Sequence, residues 1–265
     1  MWVDTHCHLD AAEFGGESLA VARRAELGGV TRIVIPAVNP GNFATVAQMS
    51  SQLSTCRYAL GIHPIFVPDA VPEDLDLLRQ TVRASLSDPR LVAIGEIGLD
   101  FFMPALVEPA MREKQEYFYG EQLKLARDVG LPVLLHVRCS QDIVLKFLRR
   151  IEVCGGIAHA FNGSFQQARS YLDLGMKLGF GGAMTFTRAL QIRRLAAQLP
   201  LSAIVLETDA PDMSPSWLHP APNSPEELPR IGAALAELRG MAVPEVALQT
   251  TANAHAVLVR LSTGE

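Results

Sequence analysis

Eight short apolar runs, each followed by an amphipathic stretch, recur along the whole 265-residue sequence. The runs lie near 2–5, 31–37 (TRIVIPA), 57–62 (RYALGI), 91–96 (LVAIGE), 132–137 (PVLLHV), 156–160 (GIAHA), 176–180 (MKLGF) and 203–208 (AIVLET). Between them fall SLAVARRAEL, LDLLRQTVRASL, EKQEYFYGEQLKLARDVG and ALQIRRLAAQL, whose apolar residues recur at helical spacing. Continuous apolar runs are the pattern of parallel strands buried on both faces, and alternation with helices places those helices over the sheet. Eight such units in roughly 250 residues predict an α/β fold, a single-domain TIM-type (β/α)8 barrel over 1–265. The competing open, doubly wound sheet lacks support, because no Gly-rich dinucleotide fingerprint follows the first run.

Two long loops follow predicted strands, FFMPALVEPAMREKQ after the fourth and the Pro-rich APDMSPSWLHPAPNSPEELP after the eighth. Barrels place substrate contacts in loops of this kind. Two helices, PEELPRIGAALAELRG and PEVALQTTANAHAVLVRL, are expected to close the chain. With 49% hydrophobic and 19% charged residues, the chain suits a compact protein with a large core. No apolar run approaches the ~18 residues needed to span a bilayer, and no basic segment leads an apolar stretch at the N-terminus. The scattered Cys7, Cys56, Cys139 and Cys154 read as reduced thiols, so the expected location is the cytoplasm. A monomer is the expectation for the oligomeric state.

Six side chains fall at or just after the ends of these runs: His6 and His8, Glu96, His136, His159 and Asp209. Imidazole and carboxylate suit zinc, manganese and, through oxygen, magnesium. His6 and His8 stand at i and i+2, so both can reach one ion, and Asp4 is placed to orient an imidazole. Glu96 lies in an apolar run, where a carboxylate must pair with a cation. Either a lysine or arginine serves, or Glu96 bridges two ions about 3.5–4 Å apart. No lysine lies near the fourth run to play the bridging part a modified lysine plays in related barrels. His136 and His159, on neighbouring strands about 5 Å apart, are candidates for the second ion. Barrel closure returns Asp209 to His6 and His8, and Glu207 shares its face as a supporting carboxylate.

His63, in GIHP, is either structural or substrate-facing, with an oxyanion as its partner. Arg138 can bind a phosphate or pair with an acid. Phe101, Phe102 and Phe161 lie in or near mouth loops where bases can stack, although packing is expected for at least two of them. His219 and His255 read as bland histidines, the first in the Pro-rich loop, where substrate contact is the alternative, and the second in the last helix.

THCHLD, GIHP, AIGEIGLDF, PVLLHVR, HAFNG and ETDAP, in this order, closely resemble the TatD family of metal-dependent deoxyribonucleases, a branch of the amidohydrolase-like barrels. The likeness spans essentially the whole chain, and ETDAPDM with the following Pro-rich loop is similar to its YjjV-type branch. The resemblance implies metal ligands at His6, His8, Glu96, His136, His159 and Asp209, the set reached residue by residue. It departs at Ala160 and Asn162, where the family often has Cys and Ser, and at Phe101 and Phe102, where tyrosine is common; these bear on substrate preference.

The resulting expectation is a phosphodiesterase using two divalent ions, magnesium, manganese or zinc. His6, His8, Glu96 and Asp209 would hold one, and Glu96, His136 and His159 the other. A water activated by both would lose its proton to Asp209, its pKa brought from 15.7 toward ~7. His63 and Arg138 would steady the phosphate. The resemblance implies DNA or another nucleic-acid end as substrate, trimmed 3′ to 5′. The net charge of −5 fits a short footprint better than a long one. An amidohydrolase-type enzyme opening amides or esters is the alternative, and a non-catalytic, metal-stabilised binding protein is a further one.

Overall fold

A computed structural model describes residues 1–262. Along the chain run β1 (Trp2–Asp4), α1 (Ser18–Leu27), β2 (Val30–Pro36), α2 (Phe43–Gln52), β3 (Cys56–Leu60), α3 (Pro72–Ala84), β4 (Leu91–Asp100) and α4 (Pro109–Val129). There follow β5 (Val133–Arg138), α5 (Gln141–Leu148), β6 (Gly156–Ala158), α6 (Phe165–Asp173), β7 (Met176–Phe180), α7 (Leu190–Gln198), β8 (Ile204–Leu206), α8 (Leu228–Arg239) and α9 (Val243–Val257). The strands form one sheet in the order β1 to β8, every pair parallel. The sheet curls into a nearly closed (β/α)8 barrel, as the alternation predicts. Just beyond the regular ladder, Thr5 N donates to Leu206 O at 3.1 Å, Asp209 N to His6 O at 2.8 Å and His8 N to Ala210 O at 2.8 Å. The β1 and β8 ends are thereby joined.

Alternation along each strand divides the apolar residues into two layers. Val3, Val34, Ala59, Val92, Leu134, Ile157 and Val205 form an inner cluster, completed by Ala254 and Val257 of α9 with Leu258 and Leu261. Ile33, Ile35, Tyr58, Leu60, Val133 and Leu135 face the other way, into a larger layer shared with Leu75, Leu78, Phe118, Tyr119 and Leu123 of the helices. Each fully buried large apolar side chain contributes about 1.5–3 kcal/mol, so the period of two fixes which residues must turn inward. Two residues past an inner apolar position comes the next inner position: Leu134 leads to His136, Ile157 to His159, and Val205 to Glu207 and Asp209.

β4 breaks this rule, and the break positions Glu96. Ile94 pairs with Val133 and Ile97 with Leu135, three residues set against two. Ile94, Ile97 and Leu99 all belong to the outer layer. A first shift, against β3, sets Val92 inward and Ile94 outward despite their equal parity. Counted from Ile94, strict alternation would send Glu96 outward, and the second extra residue returns it to the inner face with Gly98 and Asp100. Gly98 has φ +148°, and a Cβ there would lie 2.0 Å from His136 O, so the close passage of β4 over β5 requires glycine. β4 also runs four residues beyond Glu96, which is therefore mid-strand and not terminal as expected. Conversely β1, β6 and β8 stop short, leaving His6, His8, His159 and Asp209 in the segments that follow them. Among the described residues no helix is long and apolar enough to cross a membrane.

Candidate metal centre

The six expected ligands and His63 meet at one end of the barrel. Glu96, almost wholly buried, is at the middle. Its Oε2 lies 3.1 Å from His6 Nε2 and 3.4 Å from His8 Nε2. Asp209 Oδ1 lies 3.7 Å from each of the same two nitrogens. The other oxygen, Oε1, lies 3.1 Å from His136 Nδ1, 3.3 Å from His159 Nε2 and 3.3 Å from His63 Nε2. One carboxylate thus presents its two oxygens to two separate groups of nitrogens. His6, Glu96 and His159 are buried, whereas His8, His136 and Asp209 are part-exposed, so the cluster opens toward the mouth.

Hydrogen bonds behind the imidazoles distinguish those whose free nitrogen could bind a cation from the one that presents a proton. Asp100 Oδ2 sits 3.1 Å from His136 Nε2. In the neutral ring Nε2–H donates to this carboxylate and leaves the Nδ1 lone pair facing Glu96, the carboxylate–histidine arrangement of metal sites. Its other oxygen accepts the Phe102 and Met103 amides at 2.9 and 3.2 Å, which fixes the carboxylate in place. His159 is backed by Glu207 Oε1, 3.5 Å from its Nδ1, and Glu207 also accepts the Ala160 amide. His63 is different. Its Nδ1 accepts the Ile65 amide at 3.0 Å, so in the neutral ring Nε2 carries the proton and points it at Glu96. By distance alone His63, Glu96 and His136 form a further set able to hold an ion. The Ile65 bond makes Nε2 of His63 a donor, which suits a substrate oxygen better than a cation.

Asp100 was not singled out by sequence, although it ends EIGLD at an inner position once the β4 bulge is counted. Asp4 corrects another expectation. It orients no imidazole; Oδ1 accepts the amides of His6 at 3.3 Å and Thr208 at 2.9 Å, and Oδ2 accepts the Thr208 hydroxyl at 2.6 Å. It therefore ties the segment carrying His6 to the one carrying Asp209. Asp209 has φ +56°, a left-handed conformation costing roughly 1–2 kcal/mol for a residue with a side chain. The bond from its amide to His6 O and the Asp4–Thr208 brace hold it there. Arg138 is at the rim, its guanidinium 3.8 Å from the Phe102 ring centroid and 4.0 Å from Asp100 Oδ2. Phe101 and Phe161 are buried, whereas Phe102 is exposed. His255 is bonded to Ser262, away from the cluster.

Burial and mutual charge set the protonation of the cluster. Burial alone would raise Glu96, but its interactions with the imidazoles of His63, His6 and His159 and the hydrogen bond with His136 outweigh it and hold the carboxyl well below its usual range. Burial raises Asp209 to about 6. Burial lowers His6 to about 3 and His63 to about 4. Against burial, the carboxylates of Asp209, Glu96 and Glu207 raise His159 to about 10, and hydrogen bonds to carboxylates raise His8 and His136. Imidazolium protons thus neutralise the two central carboxylates, the part a divalent cation would take over. The donor set, imidazole nitrogen with carboxylate oxygen converging from several strands, fits such ions.

One consequence is measurable. Metal binds the deprotonated imidazoles, so it must displace protons, and affinity rises as pH rises from neutrality toward the His159 value of about 10. Calorimetric titration with Mn²⁺ in two buffers of different ionisation enthalpy should give different apparent enthalpies; equal values would contradict displacement.

A family model described as TatD related DNase matches residues 3–259. The chain is 39% identical over 247 residues to a protein of Escherichia coli (strain K12) named uncharacterized metal-dependent hydrolase YjjV, covering 93% of each. A crystal structure of the E. coli K12 TatD homologue YjjV superposes with a TM-score of 0.91 at 38% identity, covering 97% of this chain and 98% of that one. A protein of Klebsiella pneumoniae (strain 342) named 3′-5′ ssDNA/RNA exonuclease TatD is 32% identical over 257 residues, covering 94% of this chain and 95% of its own.

Proposed function

The chain belongs to the TatD related DNase family of metal-dependent hydrolases, and from that premise we propose that it is a 3′-5′ exonuclease on DNA or another nucleic-acid end, with residues 1–265 acting as one cytoplasmic catalytic domain. The observation that carries the two-ion part of this reading is the division of Glu96, Oε2 toward His6 and His8 and Oε1 toward His136 and His159. His6, His8, Asp209 and Glu96 would hold one divalent ion, and Glu96, His136 and His159 a second. Magnesium, manganese and zinc all suit these donors. When bound, such ions supply Lewis-acid stabilisation of phosphoryl charge and a water acidic enough to attack near neutral pH. The name of the 32%-identical K. pneumoniae relative supports nucleic acid as the substrate. Four free cysteines support the location.

The remaining chemistry belongs to the protein's own groups. Asp209, on the open side of the cluster, accepts the proton released by the attacking water. His63 donates a hydrogen bond from Nε2–H to a phosphoryl oxygen, and the Ile65 amide keeps that proton on Nε2. Arg138 offers its charge to the phosphate from the rim, held by the Phe102 ring. Asp100 and Glu207 keep the His136 and His159 rings turned toward the centre.

Purified protein with Mg²⁺ or Mn²⁺ should shorten 5′-labelled single-stranded DNA one residue at a time from the 3′ end. EDTA should stop the reaction and added metal restore it. No shortening with Mg²⁺, Mn²⁺ or Zn²⁺, together with turnover of an amide or lactone, would overturn the nuclease assignment in favour of amidohydrolase chemistry.

A further inference from the structure

The loops after β7, β8 and β1 form a cavity of about 670 Å³, whose lining includes Pro211, two residues past Asp209. These loops leave the same barrel end that carries the metal-ligand candidates. Its volume is within the ~300–1,000 Å³ of small-ligand pockets. Phe186 and Met213 give it flat and apolar walls, and His219 meets Phe186 edge-on with centroids 5.8 Å apart. Arg188, Glu13 and Asp212 also line it. The Arg188 guanidinium carbon is 5.6 Å from the Phe186 centroid.

The walls are braced. Ser216 N donates to Thr185 Oγ1 at 2.8 Å and Ser216 Oγ to Thr185 O at 3.2 Å, joining the β7 and β8 loops. Thr185 Oγ1 donates in turn to Gly182 O at 2.6 Å. A Cβ on Gly182 would lie 2.1 Å from Met213 O, so the two loops touch backbone to backbone. Asn223 Nδ2 donates to Thr208 O at 2.8 Å, and Asn223 N to Pro211 O at 2.8 Å. The far end of the β8 loop is thereby pinned beside Asp209, so the cavity is preformed and in fixed register with a metal-ligand candidate.

We propose that this cavity binds the 3′-terminal nucleoside of the nucleic acid, with its base against Phe186; the inference rests on the phosphodiesterase reading for its biological sense. Aromatic rings serve every base as stacking platforms. The charges on the lining select the occupant. One guanidinium stands against the carboxylates of Glu13 and Asp212, a balance that receives an uncharged nucleoside and repels a further phosphate. An occupant with no further phosphate is the free 3′ end of a strand whose scissile phosphate sits at the metal centre.

The test separates the cavity from the chemistry. Protein without added metal is titrated with deoxyadenosine, which has no phosphate, and amide and methyl NMR shifts are followed. Saturable shifts are expected at Phe186, Arg188 and Met213, and Phe186→Ala should weaken binding about tenfold. Phe186→Leu keeps an apolar wall without the flat ring and should weaken it in the same direction. Absence of saturable shifts in the wild type, or equal affinity in a folded Phe186→Leu protein, would overturn the proposal. In parallel, wild-type turnover of a dinucleotide is compared with that of bis(p-nitrophenyl) phosphate. Failure to cleave either diester would refute the phosphodiesterase reading while the deoxyadenosine titration still decides the cavity. A dinucleotide ending in a 3′-hydroxyl should be cleaved at least about tenfold faster than one ending in a 3′-phosphate, and equal rates would count against the charge argument.

Discussion

Glu96→Gln is expected to lower phosphodiester hydrolysis by about 10³-fold or more and to reduce the metal bound per chain from two ions to one or none. The reason is positional. Among the described residues only Glu96 reaches both nitrogen groups, since Oε2 approaches His6 and His8 while Oε1 approaches His136, His159 and His63. The amide of glutamine has one oxygen and one NH₂, so it can face a cation on one side only and carries no charge. Loss of an ion that contributes several kcal/mol of transition-state stabilisation corresponds to three or more powers of ten in rate. Rates on single-stranded DNA, measured beside metal content after gel filtration, check both parts. A mutant that keeps two ions and most of its rate would remove Glu96 from the centre of the site. Glutamine occupies the same volume, so packing around position 96 is kept, while the loss of the carboxylate that pairs with the buried imidazoles lowers stability. Gel filtration and circular dichroism confirm that the rate is read on folded protein.

Asp209→Asn is expected to lower the rate by about 10²–10⁴-fold, the usual contribution of a positioned general base. The asparagine amide would retain one oxygen toward His6 and His8 but could not accept a proton. Metal content should therefore fall less than in Glu96→Gln, while kcat drops and KM changes little. The two variants differ in kind: one loses the shared ligand, the other the proton acceptor. Binding unaltered DNA to Asp209→Asn with near-normal affinity, without cleaving it, is the expected signature. Persistent cleavage by both variants would point to a contaminating nuclease.

The eight-strand barrel was legible because its signal is local. Each strand is a short run of Val, Ile, Leu and Ala, and each inner residue is two positions from the last. That rule alone carries Leu134 to His136 and Ile157 to His159, which is why the inward placing of those ligand candidates could be read from the sequence. Asp209 needed one further step, the closure of β8 onto β1, which the hydrogen bonds from Asp209 N and His8 N complete.

The less legible features depend on pairing between distant segments. Glu96 shares parity with the inward Val92 and with the outward Ile94, so only the irregular pairing of β4 with β3 and β5 in the assembled sheet settles its face. Asp100 was missed for the same reason: its place behind His136 follows from the bulge and from the strand continuing past Glu96. Asp4 has the composition of a histidine-orienting carboxylate, yet backbone amides and the Thr208 hydroxyl are nearer and take both oxygens. The tautomer of His63 is set by the Ile65 amide, which no residue spacing announces. The cavity beside Phe186 arises when the Pro-rich loop folds back on the β7 loop, so its lining is scattered through the sequence.

The central claim is that Glu96 joins two cation sites, and electron paramagnetic resonance of the Mn²⁺-loaded protein tests it most directly. Two manganese ions about 3.5–4 Å apart and sharing a carboxylate are magnetically coupled. Wild-type protein loaded to two equivalents should give a coupled spectrum, and Glu96→Gln only the six-line signal of isolated Mn²⁺. Isolated Mn²⁺ in the wild type at full loading, or coupling undiminished in Glu96→Gln, would contradict it.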